Sequence, residues 1–427
     1  MSWMMIFQSI LIEMTIKLIA KPLKIIGSIL EYLLNSNAQK DSKNYYSVVG
    51  LLDPRLNLDK KIKHGDGRYY PALSVMASKL AYENKAVIQT TICQRWKMEF
   101  VGYYIFYNEF QHKPTTQAFI FREENVDGDV IVVAFKGTSP FLADELSTDF
   151  NISPIEIEGL GKTHLGYMLA LGLNKYTRQD DNYLGEFCGY WPKQIEQDPK
   201  HPLAYYTIRE KLKEILATNQ NAKFIMTGYS YGGALAILFP AVLSLHGEVE
   251  LLDKMEGIYT YGQPRVGNGT FGQFMKKKLR EHGIKYYRIV YGCDVVPKFP
   301  PRGHATMSFK HFGPSIHFNS LYQGKIVEDE ISKGEKIMKL FYYVILARLN
   351  AVWELIRGFI IGYIKGPEYK ENWFLLTLRF IGILFPCLVD HLIPNYINST
   401  RLASDDLFEY YSAKLASKET TVTTSSK

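Results

Sequence analysis

The stretch FIMTGYSYGGALAILFP, residues 224–240, decides the fold. It places Ser230 between Gly228 and Gly232, after a strand-like apolar run and before a helix-like one. A strand, then Gly-x-Ser-x-Gly, then a helix is the pattern of a nucleophile elbow, in which the residues flanking the serine must be small because the turn is tight. Such a turn lifts the serine Oγ to the N-terminus of a helix, where developing negative charge is favoured. The stretch therefore predicts a nucleophilic serine at position 230 rather than an ordinary Gly-rich turn.

Strand-like and helix-like runs alternate on both sides of this stretch. The runs rich in β-branched and aromatic residues predict strands over 115–121, 130–137, 223–228, 257–262 and 284–292, and the runs of helical period predict helices over 205–222, 232–246 and 270–283. Repeated strand–helix units build a mostly parallel sheet with helices on both faces. Together with the elbow, they predict an α/β-hydrolase fold with amphipathic helical additions.

Composition narrows the class of protein. The chain has 427 residues, of which 47% are hydrophobic and 22% charged, so it can bury a large core and is not mostly disordered. A net charge of +7 without a dense Lys/Arg run does not predict nucleic-acid binding. The four cysteines are far apart, which predicts reduced thiols in a cytosol-facing protein.

The N-terminal segment, residues 1–43, differs from the middle of the chain. Glu13, Lys17, Lys21 and Lys24 fall on one stripe of a helix, and large apolar side chains occupy much of the opposite side. This pattern predicts an amphipathic helix that lies in a membrane or lipid-droplet interface, with its lysines toward phosphate headgroups. The alternative is a helix packed on the protein's own core.

A second apolar region lies within the hydrolase domain, for which we expect the bounds 44–410. Residues 337–365 and 372–389 are helical in character but too charged or too short to predict membrane-spanning helices. The insert, 335–389, is therefore either a pair of helices resting on a lipid surface or a buried helical addition. We expect residues 411–427 to form a polar tail, because the last stretch, 416–427, has no core-forming side chains.

A serine nucleophile needs a histidine base and an acid that orients the base, and in this fold they follow in the order serine, acid, histidine. Asp294 directly follows the predicted strand 284–292 and is the candidate acid. Spacing leaves four candidate bases, namely His304, His311, His317 and His391. His311 and His317 lie in a run, 309–318, that looks like an edge strand, whereas His391 lies in a late loop, which suits this fold better.

Two backbone N–H groups are expected to bind the oxyanion that forms when an ester carbonyl is attacked. One is that of Tyr231, directly after the serine. The other should come from a loop after an earlier strand, which makes Thr138 the candidate.

Several blocks of the chain resemble the class 3 lipase family. VVAFKGTSPF, THLGYMLALG, TGYSYGGALAIL, YTYGQPRVGN and DVVPKFPP appear in the family's order, and HLIPNYINSTRL with NAVWELIRGFIIGYIKGPEY resembles the plant oil-body triacylglycerol lipases. The resemblance covers roughly residues 44–403. It implies a triad of Ser230, Asp294 and His391, an oxyanion site at Thr138, and a lid over 139–150.

The resemblance implies a triacylglycerol lipase that acts through an acyl-enzyme, without a metal or organic cofactor. Its expected partners are an acyl lipid and a lipid-droplet (oil body) or endoplasmic reticulum surface, but not nucleic acid. The chain departs from the family at Tyr229 and Tyr231, which flank the serine, and in a lid without tryptophan, where Phe141 and Leu142 take that role. A phospholipase or galactolipase with the same triad, and a catalytically inactive droplet coat protein, are the two alternatives.

Overall fold

An eight-stranded mixed sheet forms the centre of the fold in a computed structural model of the chain. The structure describes residues 38–126, 128–139, 154–173, 188–189, 191–196, 198–300, 309–328 and 337–413, together with residues 25, 28, 29, 31–33 and 35. The strands are β1 (Glu99–Asn108), β2 (Lys113–Glu123), β3 (Val130–Phe135), β4 (Pro154–Ile157), β5 (Gly161–His164), β6 (Cys188–Gly189), β7 (Lys223–Tyr229), β8 (Met255–Tyr261), β9 (Lys285–Tyr291), β10 (Ser315–Phe318) and β11 (Gly324–Val327).

The strand order in the large sheet is β1-β2-β3-β7-β8-β9-β10-β11, and β5-β4-β6 form a small second sheet. The pairs from β3 to β10 are parallel, whereas β1, β2 and β11 add antiparallel pairs at the two sides. All six residues of β3 are buried, as expected for a central strand covered on both faces. This sheet confirms the predicted α/β-hydrolase fold class.

Helices cover both faces of the sheet. They are α1 (Val48–Leu52), α2 (Tyr69–Leu80), α3 (Lys85–Thr90), α4 (Leu165–Leu171), α5 (Ala204–Thr218), α6 (Tyr231–Leu245), α7 (Val249–Lys254), α8 (Gly269–Glu281), α9 (Ile337–Lys365), α10 (Trp373–Gly382), α11 (Pro386–Val389) and α12 (Ile393–Leu402). Alternate residues of β3 belong to different cores: Ile131 and Val133 pack with α5 and α6, whereas Val132 packs with α2 and α12. The serine elbow therefore lies between two hydrophobic layers.

Side-chain caps explain where two of these helices begin. Asn268 accepts a hydrogen bond from the N–H of Phe271 at the start of α8, and Asn372 accepts one from the N–H of Leu375 at the start of α10. Each cap satisfies one of the amides that the first turn of a helix leaves unpaired.

The insert forms α9–α11 and turns its charged side chains toward the domain. Glu354, Arg357 and Arg379 are buried, although they interrupt otherwise apolar helices, and large apolar side chains of the same helices are exposed. Of the described helices, none is both long and apolar enough to cross a bilayer.

The structure corrects one element prediction and one domain bound, and leaves others untested. Tyr411, which we expected in the polar tail, is buried in the core. The run 309–318 is not an edge strand, because β11 pairs with the outer side of β10 and takes the edge. Four of the predicted features lie outside the described residues: the amphipathic pattern of residues 1–24, the lid from residue 140 to 150, His304, and the tail from residue 414.

Candidate active site

Ser230 occupies the turn between β7 and α6, where the sequence predicts it. Its backbone has φ 58° and ψ −129°, a conformation that non-glycine residues rarely adopt and that a nucleophile elbow requires. The turn is held by a 2.8 Å hydrogen bond from the Ser230 N–H to the carbonyl of Tyr261, at the end of β8. The strained turn thus projects the hydroxyl beyond the carboxyl ends of the parallel strands.

The two flanking glycines allow three backbone segments to meet at this turn. A Cβ on Gly228 would overlap the backbone of Gly232, and a Cβ on Gly232 would stand 2.4 Å from the carbonyl oxygen of Phe135. Side chains at these positions would therefore separate β7 from α6, or α6 from the end of β3. The close approach gives a physical reason for both glycines of the motif.

Ser230, His391 and Asp294 form one hydrogen-bonded chain. Ser230 Oγ lies 2.9 Å from His391 Nε2, and His391 Nδ1 lies 2.7 Å from Asp294 Oδ2. Asp294 is almost fully buried just after β9, and His391 lies in the turn between α11 and α12. When Nδ1 carries the proton donated to Asp294, Nε2 is left to accept the serine proton.

The other described candidate histidines have different surroundings. His311 is buried with its Nε2 2.7 Å from the carbonyl oxygen of Pro297, and His317 lies within β10, on register with Val290 of β9. Of the described histidines, the structure brings His391 alone into contact with Ser230 and Asp294.

Asp294 has two further donors that fix its carboxylate. The N–H of Val296 donates to Oδ1 at 2.8 Å, and the hydroxyl of Tyr396 donates to Oδ2, the oxygen that also faces His391. Burial, together with the negative charge of Asp294, raises the pKa of Tyr396 well above its usual value, so its hydroxyl stays protonated and able to donate. Sequence reasoning missed this role, although Tyr396 lies five residues after His391 in the quoted block.

Tyr229 contacts the imidazole from the other side. Its ring stacks on that of His391, with centroids 4.8 Å apart and planes at 25°, and its hydroxyl donates to the His391 carbonyl oxygen. From the sequence, Tyr229 is visible only as a departure from the family pattern. The structure shows that the departure supplies a direct contact to the candidate base.

The expectation of four reduced cysteines is wrong for two of them. Cys293, beside Asp294, forms a disulfide with Cys387, four residues before His391, although 94 residues separate them in sequence. The chain path brings their Cα atoms to 4.9 Å, within the range that a disulfide spans. Sequence distance hid this pair, which ties the aspartate loop to the histidine loop. Cys93 is free and exposed.

Both candidate oxyanion donors belong to segments that border the elbow. Tyr231 is the first residue of α6, and its ring packs against Tyr167 at 5.5 Å. Thr138 follows β3, whose Phe135 is on register with Gly228 of β7. The helix N-terminus and the loop after β3 therefore both border the turn of Ser230, an arrangement suited to binding a developing oxyanion.

Comparisons with known proteins identify relatives of the chain. The family model of lipase (class 3) matches residues 132–304, a range that includes Thr138, Ser230 and Asp294. The chain is 36% identical over 443 residues to a protein of Arabidopsis thaliana called triacylglycerol lipase OBL1, covering 93% of this chain and 84% of that protein. The protein of the same name from Nicotiana tabacum is 35% identical, with 93% and 83% covered.

Among solved structures, lipase II from Rhizopus niveus aligns with a TM-score of 0.40 and 20% identity, covering 60% of this chain and 81% of that one. Each of the two plant relatives resembles this chain over most of the length of both proteins, which is what family membership requires. The chain belongs to the class 3 lipase family.

Proposed function

We propose that this lipase hydrolyses triacylglycerol at a lipid–water interface, using Ser230 as nucleophile, His391 as base and Asp294 as the acid that orients it. The observation that carries the proposal is the hydrogen-bonded chain from Ser230 Oγ through the imidazole to a buried carboxylate. The choice of triacylglycerol is supported by the printed names of the plant relatives, triacylglycerol lipase OBL1.

The reaction follows from the positions of these groups. Ser230 Oγ attacks the ester carbonyl while His391 Nε2 takes its proton, and Asp294 stabilises the imidazolium that forms. The backbone N–H groups of Thr138 and Tyr231 bind the tetrahedral oxyanion. His391 then protonates the leaving alcohol, and a water molecule activated by the same imidazole releases the fatty acid from Ser230.

We propose a lipid-droplet or endoplasmic reticulum surface as the place of action, with residues 1–43 as an additional lipid-associating segment and residues 44–410 as the lipase domain. A water-insoluble substrate requires the enzyme to work at such a surface. Such a surface faces the reducing cytosol, where a disulfide such as Cys293–Cys387 is rare.

Labelling with a fluorophosphonate probe tests the nucleophile. Wild-type protein should be labelled, whereas Ser230→Ala should not. His391→Ala should lose labelling by at least roughly a hundredfold, because the serine then lacks its base. His311→Ala is the matched control and should be labelled like wild type, since His311 lies at Pro297 and not at the triad. Absence of labelling in wild type would support an inactive coat protein instead.

A substrate panel tests the choice of lipid. Emulsified triolein, phosphatidylcholine and a galactolipid are offered to purified wild type and to Ser230→Ala. We expect fatty acid release from triolein by wild type and none above background by the variant. Release from phosphatidylcholine or galactolipid without release from triolein would refute triacylglycerol as the substrate and leave the triad assignment standing.

A further inference from the structure

The exposed face of α9–α11 has the opposite polarity to the surface of a water-soluble helix. Sixteen of the 25 exposed large hydrophobic side chains in the described part of the chain lie between Ile345 and Leu388. On α9 they recur with helical spacing, as at Leu349, Ile356 and Phe359, and they continue at Phe380 and Leu384. Single exposed apolar residues are ordinary, but a contiguous group of this size marks an interaction surface.

Buried charges fix the direction in which this face points. Tyr291 of β9 donates a 2.6 Å hydrogen bond to Glu354 of α9, and Arg379 of α10 donates to the same carboxylate at 3.3 Å. Arg379 also pairs with Glu371, and Arg357 donates to Tyr291 at 3.0 Å. Because these charged groups of both helices are held on the domain side, the apolar side chains must point outward. Turning the helices over would break these bonds and leave the buried hydroxyl of Tyr291 without its two helix partners.

The charged and tryptophan side chains on the outward face of α9–α11 indicate that this face binds a lipid layer. Its exposed charged residues are Arg348, Lys365, Lys370 and Glu368, so the excess charge is positive and complements anionic headgroups. A second copy of the chain would present the same positive charges and is disfavoured by repulsion. Exposed tryptophan, as at Trp373, is typical of side chains that sit at a lipid–water boundary.

The surface is continuous with the candidate active site. Its last exposed residue, Leu388, lies in α11, which runs directly into the turn that holds His391. The Cys293–Cys387 disulfide and a 3.1 Å hydrogen bond from the Val295 N–H to the Cys387 carbonyl join α11 to the loop of Asp294. A lipid layer against α11 therefore lies beside the catalytic loops, where the substrate is needed.

We propose that the outward face of α9–α11 is the surface on which the enzyme docks flat onto a phospholipid-coated lipid layer, with the triad next to that layer. This inference rests on the proposed function for its substrate but not for its geometry. α9 spans about 44 Å, so the contact is long enough to set the orientation of the domain.

Flotation of the full chain with triolein droplets coated with phosphatidylcholine and phosphatidylserine tests the docking surface. The triple variant Leu349→Ser, Phe380→Ser, Leu384→Ser, which we call the serine variant, replaces three exposed apolar side chains. Because none of them is buried, the variant should fold, and its thermal unfolding temperature checks this. We expect the fraction bound to droplets to fall roughly tenfold or more, because each replacement removes the favourable free energy of moving an apolar side chain from water into lipid. The matched control, Ile105→Ser, Val126→Ser, Val249→Ser, removes three equally exposed apolar side chains elsewhere and should float like wild type.

A charge variant, Lys365→Glu with Lys370→Glu, keeps the test decisive if the serine variant fails to fold. It should weaken flotation several-fold on droplets with phosphatidylserine, and much less on droplets of phosphatidylcholine alone. Wild-type flotation by both variants would overturn the proposal. So would a change from dimer to monomer in the serine variant with unaltered flotation, because the face would then join two copies.

The outcomes separate this inference from the proposed function. If wild type hydrolyses triolein and the serine variant floats and hydrolyses it equally well, the docking surface is wrong and the lipase function stands. The opposite outcome is that wild type floats but fails to react with the fluorophosphonate probe, while the serine variant no longer floats. In that case the docking surface stands and the proposed function is wrong.

Discussion

Replacement of Gly232 by alanine should disable the enzyme while leaving it folded. The added Cβ would lie 2.4 Å from the Phe135 carbonyl oxygen and 3.0 Å from the carbonyl carbon and oxygen of Lys136. Because comfortable contacts begin near 3.4 Å, the end of β3 and the elbow must separate by roughly 1 Å. The atoms in the way belong to backbone, which cannot rotate aside as a flexible side chain would.

This separation moves the loop of Thr138 away from Ser230. A displacement of about 1 Å at a reacting centre costs roughly a hundredfold in rate, and loss of one oxyanion donor costs about as much. We therefore expect kcat/KM on a soluble ester, p-nitrophenyl butyrate, to fall roughly a hundredfold. Overpacking of this size should lower the free energy of unfolding by about 1–3 kcal/mol, measured by urea denaturation.

Gly269→Ala is the matched control. Gly269 is the first residue of α8, has an ordinary φ and has nothing within 4 Å of the added Cβ. Its activity should be within about twofold of wild type, and its stability equal or higher by about 0.4–1 kcal/mol. Wild-type activity in Gly232→Ala, or an equal loss in Gly269→Ala, would refute the reasoning that the glycine is required by the approach of β3.

Three further predictions concern the surroundings of the triad. Tyr229→Phe leaves the His391 carbonyl without its hydroxyl donor and should lower kcat roughly two- to tenfold, with little change in KM, since the imidazole loses a positioning contact. Reduction of the Cys293–Cys387 disulfide should lower the free energy of unfolding by about 2–4 kcal/mol in urea titrations, because it opens a 94-residue loop. Burial, with the nearby charge of Glu354, raises the pKa of Asp390 well above its usual value, so the native state holds a proton that the unfolded chain releases. Stability should therefore fall as pH rises above about 4, and Asp390→Asn should show a weaker fall in melting temperature between pH 4 and 7 than wild type.

The succession of strands and helices along the chain, the elbow and the identity of its serine can be predicted from the sequence. Short-range patterns carry them: the alternation of apolar residues sets β7 and α6, and the small residues at 228 and 232 permit the turn between them. Asp294 is also predictable, because its place after a predicted strand follows from the order of elements in this fold. Such features depend on neighbours a few residues away.

Tertiary structure decides the remaining features, although the family resemblance also selects His391. Spacing left four histidines open, and the folded path of the chain carried His391 across 161 residues to within 2.9 Å of Ser230. The same return of the chain paired Cys293 with Cys387, against the expectation of free thiols. The charges of α9 and α10 read in sequence as interruptions of an apolar run. Whether these charged side chains face the domain or the solvent depends on partners such as Tyr291, which lies on a strand distant in sequence. Contacts of this kind arise where separate segments meet in space, so no local pattern of residues encodes them.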